Sequence, residues 1–195
     1  TNSATVADTS PFIDFAISNI TGVEYLINNV IDDGTTTELD GQGEGPATSK
    51  YVSKTVQLAQ GFNSDDLSVF LTGYRPPSTS ILVYARFKNE LDPRDFDEIE
   101  WTRLSLKNNS NLTSSAANRF DYREFEYYVP SQDAGDFSAG SGAALNADNN
   151  DILRYIDDDG IIYDNYKFFA LKVVLLSTSH KDIPKLKDIR AIALT

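Results

Sequence analysis

The stretch "LSVFLTGYRPPSTSILVYARFK" (67–88) decides the fold of this chain. Its first half places Leu67, Val69 and Leu71 on one side of an extended backbone, since side chains alternate faces along a strand. Pro76 and Pro77 then stop the ladder, because neither can donate a backbone hydrogen bond. The second half sets Ile81, Val83, Ala85 and Phe87 against Leu82, Tyr84, Arg86 and Lys88. The "RPPSTS" connection is too short to hold a crossover helix, so the two strands must be antiparallel. Leu82 and Tyr84 put apolar groups on the second face as well, which predicts a strand covered on both sides.

Working outward, the same texture recurs. "YVSKTVQLA" (51–59), "IEWTRLSLK" (99–107), "YREFEYYVP" (122–130) and "IPKLKDIRAIALT" (183–195) all read as strands. "YKFFALKVVLLS" (166–177) is the most hydrophobic segment and is expected at the centre of a sheet. "PFIDFAI" (11–17) and "GVEYLINNV" (22–30) predict a first pair of strands. The Gly- and Thr-rich "DDGTTTELDGQGEGPATSK" (32–50) reads as a loop or linker. The sum is eight or nine strands and no long amphipathic helix. This predicts an all-β, antiparallel, jelly-roll-like sandwich over residues 50–195, preceded by N-terminal strands and linker over 1–49. "SQDAGDFSAGSGAALNADNND" (131–151) is long for a connection without its own element, and is expected to contact another subunit.

Charge and composition narrow the function. Twenty-nine acids against 17 bases leave a net charge of −12, and the bases are scattered, so a phosphate backbone is not an expected partner. No cysteine is present, which excludes thiol catalysis, disulfides and cysteine-ligated zinc. The apolar stretches are too short to span a bilayer, and the opening "TNSATVADTS" is not a signal-peptide pattern. The absence of methionine points to a processed product or a piece of a longer polypeptide.

Catalytic chemistry finds little to work with. His180, the sole histidine, sits in "STSHKDIP" with no G-x-S-x-G elbow to serve. Acids cluster in "DPRDFDEIE" (92–100) and "DDDG" (157–160), where a hydrolase would need two of them facing one cleft. The oxygen-rich "ADNNDILRYIDDDG" (147–160) is a place where calcium could sit, but it lacks the EF-hand spacing. Sequons at Asn19, Asn108 and Asn111 matter only in a secretory pathway. "GQGEGP" precedes a proline and is no phosphate cradle. No catalytic residue, cofactor or metal ligand is assigned.

The run from Ser49 to Trp101, with "GF" (61–62), "DLSVFLTGYRP" (66–76) and "DPRDFD" (92–97), resembles structural proteins of tailed bacteriophages, especially T4-like phages. The closing "YKFFALKVVLLSTSHKDIPKLKDIRAIALT" (166–195) is similar to the same family's last strands. The resemblance implies a non-enzymatic virion component of the tail or baseplate, an oligomeric assembly, and other virion proteins as partners. The strand cadence also resembles galactose-binding-like jelly rolls. That leaves a carbohydrate- or receptor-binding module as the alternative, with Tyr74, Tyr84, Trp101 and Tyr163 as the aromatics that could stack on a glycan.

Overall fold

The computed structural model describes residues 13–14, 19–20, 27–28, 37–39, 45–107, 113–132, 142–146, 152–179 and 181–195. Among the described residues the chain is all-β, with mostly antiparallel sheets packed as a sandwich and single helical turns at Thr37–Leu39 and Phe96–Glu98. In chain order the strands are β1 (Ile13–Asp14), β2 (Asn19–Ile20), β3 (Lys50–Val52), β4 (Val56–Gln57), β5 (Asp66–Tyr74), β6 (Thr79–Lys88), β7 (Thr102–Arg103) and β8 (Ser105–Leu106). They continue as β9 (Arg123–Tyr128), β10 (Ser131–Gln132), β11 (Ala144–Asn146), β12 (Leu153–Ile156), β13 (Ile162–Asp164), β14 (Phe168–Ser177) and β15 (Lys185–Leu194).

One sheet runs β3-β14-β6-β7, with β4 also on β14; the facing sheet runs β15-β5-β9-β8. β6 and β14 pair without interruption from Thr79↔Ser177 to Lys88↔Phe168. β14 therefore lies inside its sheet, with β6 on one side and β3 and β4 on the other, as its hydrophobicity predicts. The inward sets read from the sequence meet in the core: Leu67, Val69 and Leu71 of β5, Ile81, Val83, Ala85 and Phe87 of β6, and Phe125 and Tyr127 of β9. Each of the Leu, Val, Ile and Phe side chains among them, fully buried, contributes about 1.5–3 kcal/mol.

One flank of the sandwich is closed by the chain itself. β7 pairs with β6, β8 pairs with β9, and Leu104 between them turns inward, its N–H donating to the Val83 carbonyl at 2.8 Å. The sheet orders leave β15 and the β3–β4 segment as the outer strands of the other flank.

The short strands are where the structure departs from expectation. "YVSKTVQLA" is interrupted: Ser53 donates its N–H to the Leu171 carbonyl, and its hydroxyl accepts from the Leu171 N–H at 2.9 Å. A side chain thus replaces a backbone acceptor, and the edge splits into β3 and β4. The stretch read as an unstructured connection contains β10 and β11, and "ADNNDILRYIDDDG" supplies β12 and the turn of the β12–β13 hairpin. These four form a small sheet that covers one end of the core with Leu145, Leu153, Tyr155 and Tyr163. Residues 133–141 and 147–151, on which the subunit-contact expectation rests, lie outside the described residues, as do His180, Asn108 and Asn111. Of the expected N-terminal strands, 11–17 contains β1, which pairs with β2 in the stretch between the two; of 22–30 only residues 27–28 are described, and Asn28 forms a parallel bridge to Leu176.

Candidate functional site

The outward face of β6 and β14 carries Leu82, Tyr84, Ala170, Val174 and Leu176, with Trp101 beside them. Alternation places Arg86 and Lys172 on the same face, two cations that no open sheet surface would bury. A cover makes burial possible. Asn28 donates its Nδ2 to the Leu175 carbonyl at 2.8 Å, and the Leu39 carbonyl accepts from the Trp101 N–H at 3.0 Å. Ala47 and the partly buried Leu39 pack on the apolar side chains.

Under this cover Lys172 Nζ meets Glu38 Oε2 at 3.0 Å, with neither side chain exposed. Nζ also donates to the Glu38 backbone carbonyl. The ammonium lies 5.0 Å from the centroid of Tyr84 and 4.8 Å from that of Trp101. Burial pushes the Lys172 pKa down, against the opposing pull of Glu38. The Arg86 guanidinium sits 4.4 Å from the Trp101 centroid and 5.5 Å from that of Phe96, with Nη1 on Asp97 at 3.2 Å. Burial lowers its pKa to about 10, the Asp97 carboxylate opposing. Nε and Nη2 of Arg86 and Nε1 of Trp101 have no acceptor among the described residues. Each cation is thus shared between oxygen acceptors on one side and ring faces on the other. The arrangement is a clamp that ties the cover to the sheet.

The four aromatics named from the sequence fall in three places, each 7% exposed or less. Tyr84 and Trp101 belong to the clamp. Tyr74 ends β5, with its hydroxyl donating to the Ser115 carbonyl at 3.3 Å and its ring 6.4 Å from Tyr122. Tyr163 stacks on Tyr155 with centroids 5.3 Å apart. None turns a ring face to solvent, which sugar stacking requires.

The acidic turns do come together. Tyr155 donates to Asp92 Oδ2 at 2.9 Å and accepts from the Asn89 N–H at 2.8 Å. Asp92 is held by Arg94 at 2.7 Å, and although burial raises its pKa, the Arg94 hydrogen bonds outweigh that and leave it lowered. Asp157 closes its own turn, Oδ1 accepting from the N–H groups of Asp159 and Ile161 and Oδ2 from the Tyr163 hydroxyl. Glu98, Glu100 and Asp158 line a cavity with Arg94, Thr102 and Gly142. Its volume is about 100 Å³. Small-molecule sites occupy roughly 300–1,000 Å³, so this one suits a few waters. No group of three or more acids or histidines with metal-binding geometry occurs among the described residues.

Glu38 and Lys172 escaped the sequence reading. A single lysine inside "FFALKVVLLS" signals a buried cation needing a partner, but nothing in the sequence says that Glu38 supplies it. Comparison with family models, with curated proteins and with solved structures returns no match.

Proposed function

We propose that this chain is a structural module of a phage tail or baseplate, a jelly-roll-type sandwich that packs against other virion proteins. The resemblance of residues 49–101 and 166–195 to tail components motivates the reading. The observation that carries it is the flank that no described strand closes. There both sheets end in outer strands with uncovered apolar side chains: Tyr51, Val52 and Val56 on one, Ile192 and Leu194 on the other. An outer strand offers unpaired backbone groups as well, so it can be extended or covered by a neighbour in an assembly.

The test is incorporation. Val56→Lys with Ile192→Lys should leave the melting temperature unchanged, since both positions are exposed, and should abolish recovery of the chain in purified particles. Intact particles that lack the wild-type chain, or that incorporate the double variant normally, overturn the reading.

A further inference from the structure

The two ends of the sandwich carry opposite charge. One end gathers the segment 89–100, with Glu90, Asp92, Asp95, Asp97, Glu98 and Glu100, and the segment 157–164, with four aspartates; Arg94, Arg86 and Arg154 pair with Asp92, Asp97 and Asp164, and the other acids remain in excess. The bonds of Tyr155 to Asp92 and of Asn89 to the Asp164 carbonyl hold these segments side by side. The other end gathers Arg75, Arg119, Arg123, Lys181, Lys185 and Lys187, with Asp121 and Asp182 among them. It is knit as firmly: Ser114 donates its N–H to the Arg75 carbonyl at 2.7 Å, Lys185 lies 5.3 Å from the Tyr74 centroid, and Lys187 lies 5.4 Å from that of Tyr122. Each end also presents a large apolar side chain, Leu91 at 82% exposure on the acidic one and Phe120 at 57% on the basic one.

β6 and β14 span the distance between the ends with ten residues each, about 30 Å at the usual rise per residue. Screening at physiological salt acts over about 8 Å, so the two charge groups do not neutralise each other within one copy. They would if brought into contact.

We infer that copies of this chain associate head to tail, the acidic 89–100/157–164 end of one against the basic 75/119–123/181–187 end of the next. The occupant of each end is a second copy because the chain itself carries both complementary surfaces. A contact between unlike surfaces is heterologous and propagates into a ring or a stack. The inference rests on the assembly reading above and names one of its partners. It is scored on the purified chain rather than on particles, so either can fail alone.

The experiment is sedimentation velocity on the full chain over a concentration series at low and high salt. The mass should grow with concentration in 10 mM salt, and association should weaken at least about tenfold in 1 M salt. Lys181→Glu with Lys187→Glu, and separately Glu90→Lys with Asp158→Lys, alter exposed groups and should keep the wild-type melting temperature. Each double variant alone should stay monomeric, and mixing the two should restore association. A chain that stays monomeric in 10 mM salt, an association indifferent to salt, or a strictly dimeric product overturns the inference.

Discussion

Lys172 and Glu38, 134 residues apart in sequence, form a wholly buried ion pair at 3.0 Å on the outward face of the central strands. Glu38 is held from the other side too, its Oε1 accepting from the Ala47 N–H at 2.5 Å. A Cβ at Gly45 would collide with the same carboxylate, so that glycine is a requirement of the close approach.

Removing one partner leaves the other charge buried and uncompensated. Glu38→Ala should therefore cost about 3–5 kcal/mol in denaturant unfolding. Glu38→Leu combined with Lys172→Met should recover most of that loss, because the pair's own desolvation vanishes with it. A double variant as unstable as the single one would show that the pair is worth more than its desolvation.

Tyr127 donates its hydroxyl to the Ile81 carbonyl at 2.9 Å inside the core, and burial pushes its pKa up to about 12. The unfolded phenol ionises near its ordinary value of 10.0. Stability from the protonated native form is thus complete below that pH and is lost as pH rises towards 12. Tyr127→Phe should cost about 1 kcal/mol at pH 7, the worth of one buried hydrogen bond. The gap should narrow between pH 10 and 12, where only the wild type pays for keeping this phenol protonated. Parallel unfolding curves across that range would contradict the assignment.

Asp157 uses both carboxylate oxygens to close the β12–β13 turn. Asp157→Ala should lower stability by about 1–2 kcal/mol through the stranded donors. Millimolar calcium should leave the wild-type melting temperature where it is, since this carboxylate is already engaged. A calcium-dependent rise in melting temperature, lost in the variant, would instead place a cation in the turn.

Trp101 is the sole tryptophan and lies against two cations with 1% of its surface exposed. Its emission should report the clamp, shifting to the red in step with global unfolding. Oligosaccharides should leave that emission unchanged, and Trp101→Ala should cost about 3–5 kcal/mol as a large buried side chain. Saturable quenching by a sugar would put the glycan-binding alternative ahead of the structural reading.

The long strands were legible because their evidence is local. In β5, β6 and β9 the alternation of Leu67, Val69, Leu71, then Ile81, Val83, Ala85, Phe87, then Phe125, Tyr127 states which face is buried without reference to anything distant. The two- and three-residue strands were not legible, since a pair of residues has no period to read. β11 is made of Ala144, Leu145 and Asn146, and becomes a strand only because β10 and β12 flank it. The cover over β6 and β14 was equally silent. Its sequence around Glu38 and Ala47 is polar and glycine-rich, and its burial follows from what lies beneath it.

By itself, then, the sequence determined the antiparallel layering, the inward face of each long strand and the central place of the 166–177 segment. Alternating side chains and proline-stopped turns are properties of neighbouring residues. Tertiary structure alone decided the ion pair of Glu38 with Lys172, the crossing of the chain between sheets at Leu104, and the gathering of acids at one end and bases at the other. Those depend on which distant segments the closed sandwich brings within a few ångströms, and Coulomb and hydrogen-bond energies act on that distance, not on separation along the chain.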